Sequence, residues 1–504
     1  MILGLGLGFS SGGIAPVNDL FAAFAYDSIG NRTVLEATQF NAEANNHFDS
    51  STTFDISNGG AYLTKSTAFA VDGGTPTNFV IDDDAAPVFS SQMAGYIAAI
   101  SEGNRALINT IIVAGGTNDG KDTAITKSHF KTYMGHFYTL LKEDFPALQK
   151  VIWYPLHRRE SGTQDAAYQN IKEAIYEQCA ESANFVLGPE IYDTDQADTV
   201  HPTTAQFEDV VAPRAAQRAA SAYGKLTSGA TGPQITSASY DSNVVTATIT
   251  HDLGDRLELK PNATNVVKNA AAGEETITGY NFNAFSWVAE IEDAGVPASN
   301  SRFFLHRIDA QNYISILWFS NGNMQVQVEV SNALQTAVYN ASSDFTDSGD
   351  KKRLGFSING SGDILLYIDG VEKLNQTLHS QSATVTNHYR LSTNSGAQAY
   401  TAGAVYDYSI YDNVLTATEL AAYTGNTFTS MGDFFALDDN GTIKTPTAIT
   451  QSGNELSLTF SSVTSADAFY AGYGTMSGLS QADPSVLRDN AVINLPLRQG
   501  VWTF

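Results

Sequence analysis

Four residues, Asp198-Thr199-Val200-His201, have a spacing that can do chemistry. An Asp three residues ahead of a His lets one short turn present both side chains together. The carboxylate can then hold the imidazole in the tautomer a general base needs. Upstream, Gly115-Gly116-Thr117-Asn118-Asp119 ends an apolar run. At the mouth of such a strand, the Asn118 side-chain N–H can be offered to a developing oxyanion. The nucleophile this set requires is found in Tyr26-Asp27-Ser28-Ile29-Gly30-Asn31, where Ser28 directly follows the first apolar strand. Gly59 and Gly60, after the second strand, can add a backbone N–H to the oxyanion site. The order along the chain is nucleophile, oxyanion donors and base, each at a strand end, which is the layout of acyl transfer. Taken singly the signals are weaker: Asn118-Asp119-Gly120 also reads as a turn, and Asp198 as a helix N-cap.

The elements that must position these residues follow from hydrophobic periodicity. Leu20–Ala25, Thr53–Ile56, Ile108–Ala114, Val151–Tyr154 and Phe185–Leu187 read as buried strands. Between and after them, Thr33–Asn45, Val88–Ile100, His129–Leu141, Gln164–Ala180 and Ala205–Tyr223 read as helices, with Met93, Ile97 and Ile100 on one face. Strand and helix in alternation predict a parallel sheet covered on both faces, with reactive residues at its C-terminal edge.

With these blocks in place, residues 20–226 resemble the SGNH (GDSL-type) hydrolase family of esterases and deacetylases. Gly116-Thr117-Asn118-Asp119 matches its Gly-x-Asn-Asp block, and Asp198-Thr199-Val200-His201 its Asp-x-x-His block. Tyr26-Asp27-Ser28 stands at the Gly-Asp-Ser block with Tyr in place of Gly, and Gly60, or Gly59, at the oxyanion glycine. The resemblance implies a flavodoxin-like three-layer α/β fold. It also implies Ser28 as nucleophile, His201 as base oriented by Asp198, and an oxyanion hole from Ser28, Gly60 and Asn118. A rival alignment sets Thr38-Gln39-Phe40-Asn41-Ala42 on the Gly-Gln-Ser-Asn-Ala block of the sialate O-acetylesterase branch. Phe40 would then replace the nucleophile, and the domain would be catalytically dead.

Composition changes at Thr227–Pro233, a Gly/Ser/Thr linker, and beyond it the chain reads as almost all β. Val244–Thr250 alternates with period two, and short strands with Asn-Gly and Asp-Gly turns predict a two-sheet sandwich. Arg353–Ile358, Ile364–Gly370 and Gly403–Tyr411, followed by Leu415-Thr416-Ala417-Thr418-Glu419-Leu420, resemble the concanavalin A-like, laminin-G-like jelly-roll family. That resemblance implies glycan binding, with calcium in some members. The segments flanking it read as two halves of one small β-sandwich, so the jelly roll is expected to be inserted into it. The expected division is an extended arm at 1–19, an α/β domain at 20–226, a half-sandwich at 227–262, the jelly roll at 263–430 and the second half-sandwich at 431–504.

Composition excludes several partners. The chain has 504 residues, is 43% hydrophobic and carries a net charge of −26, which argues against nucleic acid. No apolar run reaches the ~18 residues of a membrane span, so no membrane insertion is expected. Cys179 is the only cysteine, which excludes an intrachain disulfide and reads as a core thiol. Asp82-Asp83-Asp84 reads as a solvated loop, and His157-Arg158-Arg159 as a solvated loop or an anion contact. No cofactor and no catalytic metal are expected. The module order is similar to that of phage tail and exported polysaccharide esterases. It implies an acylated polysaccharide or bacterial surface glycan as substrate. It also implies a virion or extracellular setting, and a homo-oligomer docked on other virion subunits through the Gly-rich arm. The alternative is an adhesion protein with a degenerate α/β domain.

Overall fold

The computed structural model describes residues 3–5, 19–24, 40–48, 51–55, 80–81, 87–89, 91–98, 100–117, 119–159, 164–197, 202–226, 229–252, 254, 256–260, 265–266, 274–278, 283–309, 311–346, 348–349, 351–380, 387–391, 399–400, 405–411, 413–425, 427–428, 431, 434–481, 484, 486–489 and 495–504. Five strands form a parallel sheet in the N-terminal part: β1 (Asp19–Phe24), β2 (Ser51–Asp55), β3 (Thr110–Val113), β4 (Lys150–Trp153) and β5 (Phe185–Leu187). Their order is β2-β1-β3-β4-β5, the doubly wound 2-1-3-4-5 arrangement. Leu3–Leu5, the described part of the predicted arm, pairs antiparallel with β1 of its own chain.

Strand alternation assigns the helices to two faces. Trp153 points to one face and meets Phe130 and Phe137 of α2 (Lys127–Asp144). Next to α2 lies α3 (Asp165–Glu181), bridged to it by Lys127 and Lys131 reaching Glu173, Glu177 and Glu181. Thr110 and Lys150, of opposite parity, reach Tyr223 on the other face, which caps α4 (Ala212–Ala222). There α4 packs beside the short helical turn at 40–44, through Gln217 to Glu43 at 3.0 Å and Tyr223 to Phe48. Two expected helices start differently. Val88–Phe89 pairs with Val80–Ile81 as a hairpin, and the following helix, α1, covers only Ser91–Ala98, with Met93, Ile97 and Ile100 buried. In the predicted 205–223 helix, Phe207–Val211 winds as a π-helical turn ahead of Pro213. Proline lacks the N–H that an α-helical bond would need there.

Two β-sandwiches make up the rest. Val244–Thr250 pairs with Gln234–Asp241 on one side and with Glu455–Thr459 on the other, so segments about 200 residues apart share one sheet. The facing sheet is formed by Thr442–Lys444, Phe435–Asp439, Ala466–Ala471 and Gly500–Thr503. The jelly roll stacks a six-stranded sheet on a seven-stranded one around a core that includes Trp287, Ile316, Trp318, Phe356 and Leu366. The seven-stranded sheet contains β6 (Ser301–Asp309), β7 (Asn312–Trp318), β8 (Asn323–Val330) and β9 (Ala333–Asn340). Helix α5 (Ala417–Thr424) seats the jelly roll on the small sandwich, and its N-terminus has a complete capping box between Thr416 and Glu419.

A two-stranded ribbon, Leu257–Lys260 against Val486–Asp489, lies where the three units meet. Glu258 and Arg488 are partners in its register. Glu258 reaches Arg353 of the jelly roll at 2.9 Å, and Arg488 reaches Asp193 of the α/β domain.

Candidate functional site at the sheet edge

The C-terminal ends of β1 and β3 lie side by side, Phe24 opposite Val113 and Ala22 opposite Ile111. This is the switch point of the sheet, where doubly wound folds place their ligands. Ser28, Gly59, Gly60, Asn118, Asp198 and His201 lie outside the described residues, as do Tyr26 and Asp82–Asp84. What the structure gives is the frame from which these segments depart.

After β3 the chain turns at Gly116, whose φ is +113°. A Cβ there would stand 2.9 Å from Ile171 and 3.1 Å from Phe130, so glycine is required both by conformation and by space. Gly120 donates back to the Gly116 carbonyl at 2.9 Å, and Asp119 is fully buried. Trp153 Nε1 donates to the Gly115 carbonyl, tying the end of β4 to this turn. Phe40, the nucleophile position of the rival alignment, is fully buried in the domain core on the helical turn at 40–44.

The segment after β5 is held on several sides. Gln196 and Pro202 form an antiparallel bridge, and Thr203 donates to the Asp195 carbonyl at 2.8 Å. In sequence, Asp198 and His201 lie between these closed ends. Asp193, fully buried, accepts from both guanidinium nitrogens of Arg214 (2.7 and 2.8 Å) and also pairs with Arg488. Burial alone would raise its carboxyl, but the two arginines outweigh burial and hold it far below the usual carboxylate range. Glu190, also buried, accepts from the Gln499 backbone and side chain, and its carboxyl is raised chiefly by burial.

Arg158 corrects the reading of 157–159 as a solvated loop. Its side chain is 2% exposed, and it donates to the carbonyls of Thr194, Leu479, Ser480 and Gln481. Burial lowers its guanidinium to about 10, opposed by Asp195 and Asp193, so it stays charged at neutral pH. The sequence did not show this role, because the acceptors are backbone carbonyls, three of them roughly 320 residues away. Cys179 packs partly buried against the domain core, and burial pushes its thiol up to about 12. Among the described residues no group of three or more His, Cys, Asp or Glu is placed to hold a metal ion, and no helix is long and apolar enough to cross a membrane.

The outer face of the seven-stranded jelly-roll sheet forms a second candidate surface. Register aligns Tyr313, Glu329 and Leu334 in one row and Ser315, Gln327 and Thr336 in the next. Exposure falls across the sheet: Leu334 and Val338 on β9 are about half exposed, Gln325, Gln327 and Glu329 on β8 are half-buried, and Ser315 and Leu317 on β7 are buried. Among the described residues Ser315 Oγ has no hydrogen-bond partner. Burial, followed by the hydrogen bond to Glu329, pushes the Tyr313 hydroxyl up to about 12. The face therefore offers phenol, carboxylate, amide and hydroxyl groups beside an aliphatic rim.

Comparison with known proteins bears on this second surface's domain. Residues 268–421 match the concanavalin A-like lectin/glucanases superfamily, and this part of the chain is a concanavalin A-like β-sandwich. No curated protein matches the chain. Among solved structures, the CBM40 of Ruminococcus gnavus IT-sialidase bound to alpha2,3 sialyllactose is 14% identical, covering 30% of this chain and 98% of that one, with a TM-score of 0.23. The heptameric SAP-like pentraxin of Limulus polyphemus is 13% identical over 34% and 82%, with a TM-score of 0.26. The Botulinum neurotoxin serotype D binding domain is 14% identical over 35% and 47%, with a TM-score of 0.23. Likeness this low carries no argument about ligand or activity.

Proposed function

We propose that this chain binds carbohydrate through its jelly roll and removes O-acyl groups from it at the C-terminal edge of its α/β sheet. The observation that carries the hydrolytic half is the strand order: β1, which leads to Ser28, and β3, which leads to Asn118, are neighbours with their C-terminal ends together. In this reading Ser28 attacks the ester carbonyl while His201, oriented by Asp198, takes the hydroxyl proton. The oxyanion is met by the Ser28 and Gly60 backbone N–H groups, with Gly59 as the alternative to Gly60, and by the Asn118 side chain. His201 then returns the proton to the leaving sugar oxygen, and water releases the acyl group by the same route. The residues require no cofactor for this sequence of steps. The binding half is supported by the family match at 268–421 and by the mixed polar face around Tyr313, Gln327 and Glu329. A phage-particle setting rests on the order of modules alone.

The test is acetate release from p-nitrophenyl acetate and from acetylated polysaccharides, comparing the wild type with Ser28→Ala and His201→Ala. Loss in both variants supports the assignment, and activity surviving Ser28→Ala overturns it. Tyr26 at the family's glycine favours a second, binding-only reading. That reading predicts glycan binding with no acyl release from any ester.

A further inference from the structure

The α/β domain is closed by the far end of its own chain. Beyond the four carbonyls held by Arg158, Gln196 donates its backbone N–H to the Gln481 carbonyl at 2.9 Å. Its side-chain amide donates to the Arg158 carbonyl at 2.9 Å. Arg159 donates to Thr475, Lys172 to Gly472, and Thr475 and Gly474 to Asp165 and Gln169 of α3. Thr194 and Gln196 are thus held from outside against the 479–481 backbone of the small sandwich, and Arg158 is a side chain that touches both. One guanidinium presents five donors in a fixed fork, so it can bind Thr194 on one side and 479–481 on the other at once.

We propose that Arg158, with the 479–481 backbone, is a positioning element for the segment bearing Asp198 and His201, so that the reactive edge of the α/β domain is completed by the C-terminal sandwich. This rests on the esterase reading. Arg158 touches no reacting atom in it. It acts by fixing Thr194 and Gln196, from which the segment departs. A displacement of about 1 Å in a general base is enough to cost on the order of 100-fold in rate.

The experiment uses the full chain as wild type, Arg158→Lys, Arg158→Met and Gln196→Ala, with p-nitrophenyl acetate as substrate. In Arg158→Met, kcat is expected to fall roughly 10- to 100-fold with KM nearly unchanged. The acidic limb of kcat/KM should move to lower pH, because an imidazolium parted from its carboxylate loses its proton more easily. Arg158→Lys, which keeps the charge but not the fork, falls between. A folded Arg158→Met with wild-type kcat and pH profile overturns the proposal. Should Arg158→Met fail to fold, Gln196→Ala decides, since it removes only the amide bond to the Arg158 carbonyl. A roughly threefold or larger fall in kcat is expected, and none overturns the proposal. Amide hydrogen exchange at Gln196 and Thr203 reads the same clamp without catalysis. Faster exchange in Arg158→Lys supports it, and unchanged exchange overturns it. A wild type inactive on every ester, or active after Ser28→Ala, removes the esterase reading while the exchange result still stands.

Discussion

At the scale of single residues, the buried carboxylate of Asp193 joins two domains. It neutralises Arg214 and Arg488, one from each of two domains, and all three side chains are buried. Asp193→Asn removes the carboxylate that both guanidinium groups reach, and breaking a buried pair in this way costs about 3–5 kcal/mol. Urea unfolding at neutral pH is expected to register that loss, and a variant as stable as the wild type would refute the role given to this carboxylate. The pH dependence has a fixed sign. The folded-state carboxyl is depressed below its unfolded value, so its stabilisation is complete above about pH 4 and is lost as pH falls further, through the folded value. Asp193→Asn should therefore flatten the acid limb of the stability profile. Gly116 makes a second residue-scale case. Gly116→Ala must hold φ near +113° and push Ile171 aside, which together should cost about 1–3 kcal/mol. A thermal melt with no shift would contradict that geometry.

At the scale of elements, what could be read from sequence depended on whether the signal was local. The apolar runs before Ser28 and at 108–114, 151–154 and 185–187 form parallel strands because each is short, continuous and bounded by turn residues. The alternation in 244–250 forms a strand for the same reason. Val88–Phe89 carries an equally apolar pattern yet forms a hairpin strand, since periodicity over two residues cannot separate strand from helix. Arg158 read only as a solvated loop residue or an anion contact, because its actual partners are carbonyls, which leave no trace in residue type. Thr416-x-x-Glu419 is the opposite case, a purely local code that the structure realises as a capping box. Thr416→Ala should cost about 1 kcal/mol in chemical denaturation, and it should do so within the jelly-roll transition, because α5 packs on that domain. The outer sheet face carries an element-scale prediction for binding. Tyr313→Ala and Gln327→Ala are each expected to weaken glycan affinity roughly 5- to 50-fold, by isothermal titration, through loss of buried hydrogen bonds. Unchanged affinity in both would move the binding site off this face.

In the whole molecule, the three units are unequal in their independence. The jelly roll has a closed apolar core of its own, and Arg353 keeps the Tyr423 carbonyl within residues 263–430 even when Glu258 is absent. The α/β domain also has a core, but its buried ions are satisfied by distant chain. Arg158 needs 479–481, Lys172 needs Gly472, Asp193 shares Arg488, and Glu190 accepts from Gln499. Stripping one buried charge of its partners costs about 3–5 kcal/mol, against a net stability of about 5–15 kcal/mol for a whole domain. Losing several at once exceeds what the core of residues 20–226 can hold. A chain of residues 1–226 is therefore expected to give no cooperative thermal transition and rapid trypsin cleavage, whereas residues 263–430 alone should melt cooperatively. The same argument forbids the converse truncation: a chain ending at residue 470 should lose the α/β transition while the jelly roll still melts. If residues 1–226 instead unfold in one sharp step near the melting temperature of the full chain, these ions are not what couples the two ends. The sandwich would then be a passenger on the α/β domain and not part of it.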